Sequence, residues 1–208
     1  MKVDFWFDPA CPWCWLTSRW MLRVAPERDL DVTWHPISLF FKNDYEPGHR
    51  LYDATLRSRH LLRVVEAVRE AGHADAIEGL YTRLGTHIHH DEQLDFEVAD
   101  DLEALGLDRA LADALEEERF DEAVRASMEA GLALTGQNVG TPIISFDNTD
   151  GERVALFGPV ISRVPPDEQA VAAWDAFVTL ARTPGFWETK RDRTEDPTMS
   201  SVPDSVKA

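Results

Sequence analysis

The chain has 208 residues, 44% of them hydrophobic, which suits one domain with an insertion or two small domains around a real core. A formal net charge of −17 argues against nucleic acid and anionic membrane surfaces as partners. No apolar run reaches the roughly 18 residues of a membrane-spanning helix, and two cysteines are too few for a four-cysteine zinc site.

Val3 to Phe7 is a short, almost wholly apolar run, the pattern of a strand buried on both faces. From Pro12, apolar residues recur at Trp13, Leu16, Trp20, Met21 and Val24, which is helical spacing. Cys11-Pro12-Trp13-Cys14 lies at the junction, so Cys11 opens the helix. Unsatisfied N–H groups and the positive end of the helix dipole gather there and favour a negative sulfur. Pro12 suits a first turn in which no N–H is needed. The spacing predicts an attacking thiolate at Cys11 and a resolving thiol at Cys14, one turn on. Three blander assignments compete: a zinc site completed by histidines, a static disulfide, or two inert cysteines. A bridge across two residues closes too small a loop to stabilise the fold much. The strand–CxxC–helix setting favours redox chemistry.

Pro26-Glu27-Arg28-Asp29 breaks the helical pattern. Leu30 to Ile37 alternates and reads as a second strand, parallel to the first through a right-handed crossover. Ser38 to Gly48 reads as a loop. From about residue 50 to 135 no strand pattern appears, and helices are predicted at 51–71, 74–85, 95–105, 107–117 and 121–135. Strands return at 142–146 and 154–157. Asp147-Asn148-Thr149-Asp150-Gly151 joins them as a turn; it lacks the later glutamate of a calcium loop. An amphipathic helix follows at 167–181. Its Trp174, like Trp20 in the first helix, falls on an apolar face and reads as core. From Asp192 the chain is polar with Pro197 and Pro203, and a loose tail is expected.

Asp8 reads as a cap for the first helix. His87, His89 and His90 with Asp91 could hold a metal, but such clusters are more often a solvated helix end, and no metal is expected. Met1-Lys2 leads straight into a strand without the charged and apolar regions of a secretory signal. A cytoplasmic site is therefore expected, where thiols stay reduced and a CxxC is usually catalytic.

Strand, CxxC, helix and strand, then a hairpin opening on Thr141-Pro142, resemble the thioredoxin fold. The helical block between the second and third strands is similar to the DsbA subgroup. The fold expected is thus α/β, a thioredoxin fold with a large all-helical insertion. Residues 1–45 and 136–195 would form the thioredoxin-like part, 46–135 the helical insertion and 196–208 the tail. More specifically, residues 5 to 20, from Phe5-Trp-Phe-Asp-Pro-Ala-Cys-Pro-Trp-Cys-Trp to Trp20, resemble the actinobacterial mycothiol-dependent reductases, also described as mycothiol-dependent nitroreductases. Arg83-Leu-Gly-Thr-His-Ile-His89, Val139-Gly-Thr-Pro142, Phe157-Gly-Pro-Val160 and the stretch from Phe186 to Thr194 look like the same family.

The resemblance implies Cys11 as nucleophile, Cys14 as resolving thiol and Trp13 as an aromatic rim. It implies a cis Pro142 packed against the sulfurs, leaving the Thr141 backbone free to pair with substrate. His89 would face the sulfur and stabilise the thiolate or donate a proton, with His87 and His90 beside it as further candidates. The function implied is a cytosolic thiol-disulfide reductase without a tightly bound cofactor. Mycothiol or another low-molecular-weight thiol would be co-substrate, and a protein disulfide or small reducible compound, nitro-aromatics included, the substrate. A homodimer is plausible on the same grounds. Two alternatives are a kappa-type glutathione transferase or chromene-carboxylate isomerase, which would use a hydroxyl instead of a CxxC, and a non-enzymatic redox sensor.

Overall fold

The computed structural model describes residues 1–207. The elements that position the site are β1 (Lys2–Phe7), α1 (Pro12–Arg28), β2 (Asp31–Pro36), β3 (Ile143–Asp147), β4 (Arg153–Phe157) and α7 (Asp167–Ala181). The sheet runs β2-β1-β3-β4. β1 lies parallel to β2, with Phe5 opposite Trp34, and antiparallel to β3, with Phe5 opposite Ile144. As a central strand it is covered on both faces, which is why its sequence hardly alternates. Val3, Phe5 and Phe7 join a cluster with α1, α7 and much of the insertion. Trp6 points the other way, onto Ile37, Met128, Leu132 and Ile143.

The segment between β2 and β3 is helical, as the periodicity predicts: α2 (Leu39–Asn43), α3 (Tyr52–Glu70), α4 (Ile77–His89), α5 (Val98–Ala104) and α6 (Asp121–Thr135). Arg63 Nε donates to Asp121 Oδ1 at 2.7 Å, and Arg59 pairs with the same carboxylate, tying α3 to α6. One buried cluster runs through the sheet face and the insertion together. Trp20 and Trp174 are core, 5.8 Å apart between ring centroids.

Several local expectations need correcting. α1 continues through Pro26 and ends at Arg28, with Asp29 in the left-handed conformation (φ 49) as C-cap. Pro26 lacks the N–H that would reach back four residues, and α1 runs only two residues beyond it. α2 replaces an expected loop. It is too short to show a period, and its start is fixed by the Ser38 hydroxyl on Phe41 N–H and the Asp8 carboxylate on Leu39 N–H. α4 does not stop at Gly85. A Cβ there would meet the Trp15 ring at 2.2 Å, so this glycine makes room for an indole rather than ending a helix. Residues Arg109–Glu116 form a 3-10 rather than an α-helix.

The loose tail expected at 196–208 is docked through its described part. Met199–Ser201 and Asp204–Val206 form 3-10 turns, and Val202 is 3% exposed in the main cluster. Val164 N–H donates to Ser201 Oγ at 3.0 Å. One buried valine and a few backbone bonds hold a segment whose composition looks disordered.

Candidate active site

The opening of α1 places both sulfurs. Cys11 is its N-cap: the backbone is extended (φ −86, ψ 109) and Sγ accepts from the Cys14 N–H at 3.4 Å. The thiol thus takes the position usually held by a serine or aspartate oxygen. Its own N–H donates to the Asp8 carbonyl at 3.0 Å, closing the turn out of β1. Both cysteines are free thiols. Cys11 is 8% exposed and Cys14 0%, so a molecule arriving from solvent meets Cys11 first. The Cys14 S–H points to the Trp6 carbonyl, 3.8 Å away.

The expectation of an easily formed Cys11 thiolate needs correction. Burial pushes the Cys11 thiol up, and the charge of Asp8 adds to this. The Thr141 side chain and the N–H groups of Cys14 and Trp13 act in the opposite direction without overcoming burial. Cys14 is pushed well above its ordinary value, by burial first and the Cys11 charge second. Both thiols are therefore neutral at neutral pH, and the donors around Cys11 are those that would favour its anion.

The Thr141–Pro142 bond is cis, as the resemblance implies. Thr141 Oγ1 is buried with no hydrogen-bond partner and faces the Cys11 sulfur, where it favours the anion. Gly158–Pro159 is a second cis bond, not foreseen from sequence. The Pro159 carbonyl accepts from Thr17 Oγ1 at 2.8 Å, fastening the loop after β4 to α1. Trp13 is partly exposed at the rim, with the Arg193 guanidinium 4.7 Å over its ring, while Trp15 is fully buried.

Asp8 does not cap α1. Its buried carboxylate accepts from Ala10 N–H at 2.8 Å, Leu39 N–H at 2.6 Å and the Ser58 hydroxyl. Burial nevertheless pushes it up to about 6. It joins the turn before Cys11 to α2 and α3.

The three histidines diverge. His89 Nε2 lies 2.8 Å from the Pro9 carbonyl, to which it donates, and its ring stacks on Trp15 at 5.7 Å. Burial lowers it to about 4, so it is uncharged at neutral pH. His89 is thus not a cation beside Cys11 at neutral pH, and it holds the Pro9 turn. His90 Nε2 accepts from Trp15 Nε1 at 3.2 Å. His87 turns to Asp101 and stacks on Phe96. Among the described residues, no group of three His, Cys, Asp or Glu side chains is placed to hold a metal. Sequence reasoning missed Arg19 and Tyr81, which are fully buried behind Cys14. An arginine four residues after Trp15, amid apolar helix positions, was the available signal.

A strand–CxxC–helix unit, a cis-proline loop facing the first sulfur and a helical insertion define a DsbA-like, thioredoxin-fold oxidoreductase. The same fold is found in the cytosolic disulfide reductase DsbM from Pseudomonas aeruginosa, with TM-score 0.57 and 16% identity, covering 87% of this chain and 100% of that one. It also occurs in a 2-hydroxychromene-2-carboxylate isomerase, with TM-score 0.56 and 19% identity over 88% and 97% of the two chains. At the sequence level the chain matches the Rv2466c-like family, described as mycothiol-dependent nitroreductase Rv2466c, over residues 10–191, and it belongs to that family. It is therefore an enzyme of the thiol oxidoreductase kind. Uncharacterized protein Rv2286c of Mycobacterium tuberculosis is 25% identical over 199 residues, 92% of this chain and 82% of that protein. Among the described residues no helix is long and apolar enough to cross a membrane.

Proposed function

We propose that this protein is a dithiol reductase recycled by mycothiol. The Cys11 thiolate attacks one sulfur of a substrate disulfide, forming a mixed disulfide and releasing one substrate thiolate. Cys14 then attacks Cys11, forming the internal disulfide and releasing the second thiol. One mycothiol opens that disulfide at Cys11, and a second leaves with the first as mycothiol disulfide. A nitro-aromatic compound is the other acceptor class: the dithiol would supply two electrons and two protons, giving a nitroso group and water.

The observation that carries this is the N-cap position of Cys11. Its sulfur is the more exposed of the pair, Thr141, Cys14 and Trp13 supply donors for its anion, and Cys14 lies one turn behind. The mycothiol-dependent family and a glutathione-bound structure of the DsbM neighbour support a low-molecular-weight thiol as co-substrate. Such a reductant goes with a cytoplasmic setting. A homodimer belongs to the same proposal and is tested by sedimentation. The isomerase shares the fold, so fold alone does not separate the two; the intact CxxC favours the reductase. Steady turnover of a small disulfide with mycothiol, faster than with glutathione or thioredoxin and lost in Cys11→Ser, is the expected result. Full turnover in Cys11→Ser would refute the proposal, and a single oxidation without recycling would mark a sensor.

A further inference from the structure

Behind Cys14 lies a buried cation whose hydrogen-bond partners are all neutral. Arg19 Nη1 donates to Thr82 Oγ1 at 2.6 Å and to the Val206 carbonyl at 2.9 Å, and Nε donates to Ser18 Oγ at 3.2 Å. The nearest acid along this chain of bonds is Glu78, reached only through Thr82, whose hydroxyl donates to it at 2.8 Å. Arg19 Nη2 has no partner. The guanidinium lies 4.0 Å from the Trp15 ring centroid and 5.5 Å from that of Tyr81. Tyr81 Oη is also buried without a partner, and it sits beside the Cys14 sulfur and the Ser18 hydroxyl. Each orphaned polar atom in a native core calls for an explanation. Glu78 offsets this buried charge only from across the Thr82 hydroxyl; a buried positive charge with no acid in direct contact is costly, and that cost falls when an anion forms next to it.

Building on the dithiol-reductase function above, we propose that Tyr81 is the hydrogen-bond donor to the Cys14 thiolate during resolution, with Arg19 as the positioning residue that supplies the compensating charge. In that step the Cys14 S–H bond breaks and the thiolate displaces the substrate thiolate from Cys11. The Cys11–Cys14 bond forms as the mixed disulfide breaks, and the proton ends on the departing thiol. The same groups stabilise Cys14 as leaving group when mycothiol reopens the disulfide. The charged and titratable groups facing Cys14 are Cys11 and Asp8, which oppose its ionisation, and Tyr81 and Arg19, which favour it. The Asp8 N–H also favours the anion.

Tyr81→Phe removes one oxygen and keeps a ring that stacks on Phe7 at 4.1 Å, so it tests the inference even where Arg19 variants unfold. With mycothiol disulfide as probe, acid quenching and mass measurement separate formation of the Cys11 mixed disulfide from its resolution. In Tyr81→Phe, formation stays near the wild-type rate. Resolution slows about tenfold, the scale of one hydrogen bond to a charged group, and its pH midpoint moves upward. Arg19→Lys retains more of the resolution rate than Arg19→Met. Resolution at the wild-type rate in Tyr81→Phe, or equal slowing of both steps, would overturn the inference while leaving the reductase function standing. If no Cys11 mixed disulfide forms even in the wild type, it is the function that fails.

Discussion

Around Cys11 the chain gathers donors at a surface edge: two backbone N–H groups, the Thr141 hydroxyl and a partly exposed Trp13. Around Cys14, three residues later, it builds a sealed chamber of Trp15, Tyr81 and Arg19, all at most 1% exposed. Neither thiol is made acidic; burial raises both. The difference between them is access and the sign of the charge behind them. In the proposed mechanism Cys11 attacks first because it can be reached, and Cys14 follows with the Arg19 cation behind its anion.

Breaking the accessible side has the largest effect. Cys11→Ser reduces mycothiol-linked turnover to background, measured by loss of a small disulfide. Next comes the wall between the two sides. Gly85→Ala places a methyl against the Trp15 ring and costs roughly 3 kcal/mol or more by overpacking, read as a lower denaturant midpoint.

The two titratable groups that hold the Cys11 turn sharpen the contrast through pH. Asp8 titrates at an ordinary value of 3.8 when unfolded and at about 6 when folded. Between those values the folded state holds the extra proton, so this group makes stability fall as pH rises. His89 goes from 6.5 unfolded to about 4 folded, so over nearly the same range it makes stability fall as pH drops. Unfolding at a series of pH values then separates the variants. Relative to wild type, Asp8→Asn gains about 2 kcal/mol of stability between pH 4 and pH 6.5, and His89→Gln loses stability over the same rise. The smallest expected effect is at the rear cover. Val202→Ala costs about 1 kcal/mol, and it speeds local hydrogen exchange in the C-terminal turns more than around Cys11.

The Cys11 side was largely legible in the sequence, because strand, CxxC and helix are local and carry their own periods. The cis bond at Pro142 was legible from the resemblance, and the hairpin that it opens from its own strand pattern and turn residues. The chamber behind Cys14 was not. It depends on α4 delivering Tyr81 and on the Val206 carbonyl reaching Arg19 across 187 positions, which no local pattern encodes. α2 escaped notice because a carboxylate from another segment starts it. The docked tail escaped because one buried valine leaves no period. The raised thiols and the neutral His89 reflect tertiary burial, which overrides what helix ends and neighbouring imidazoles favour by themselves.

The division of labour between the two sulfurs is tested most directly by trapping the intermediate. Cys14→Ser is mixed with mycothiol disulfide and mapped by mass spectrometry. One mycothiol adduct on Cys11, stable until a thiol reductant is added, is predicted. An unmodified Cys11 in that variant, or an equally fast adduct on Cys14 in Cys11→Ser, would contradict it.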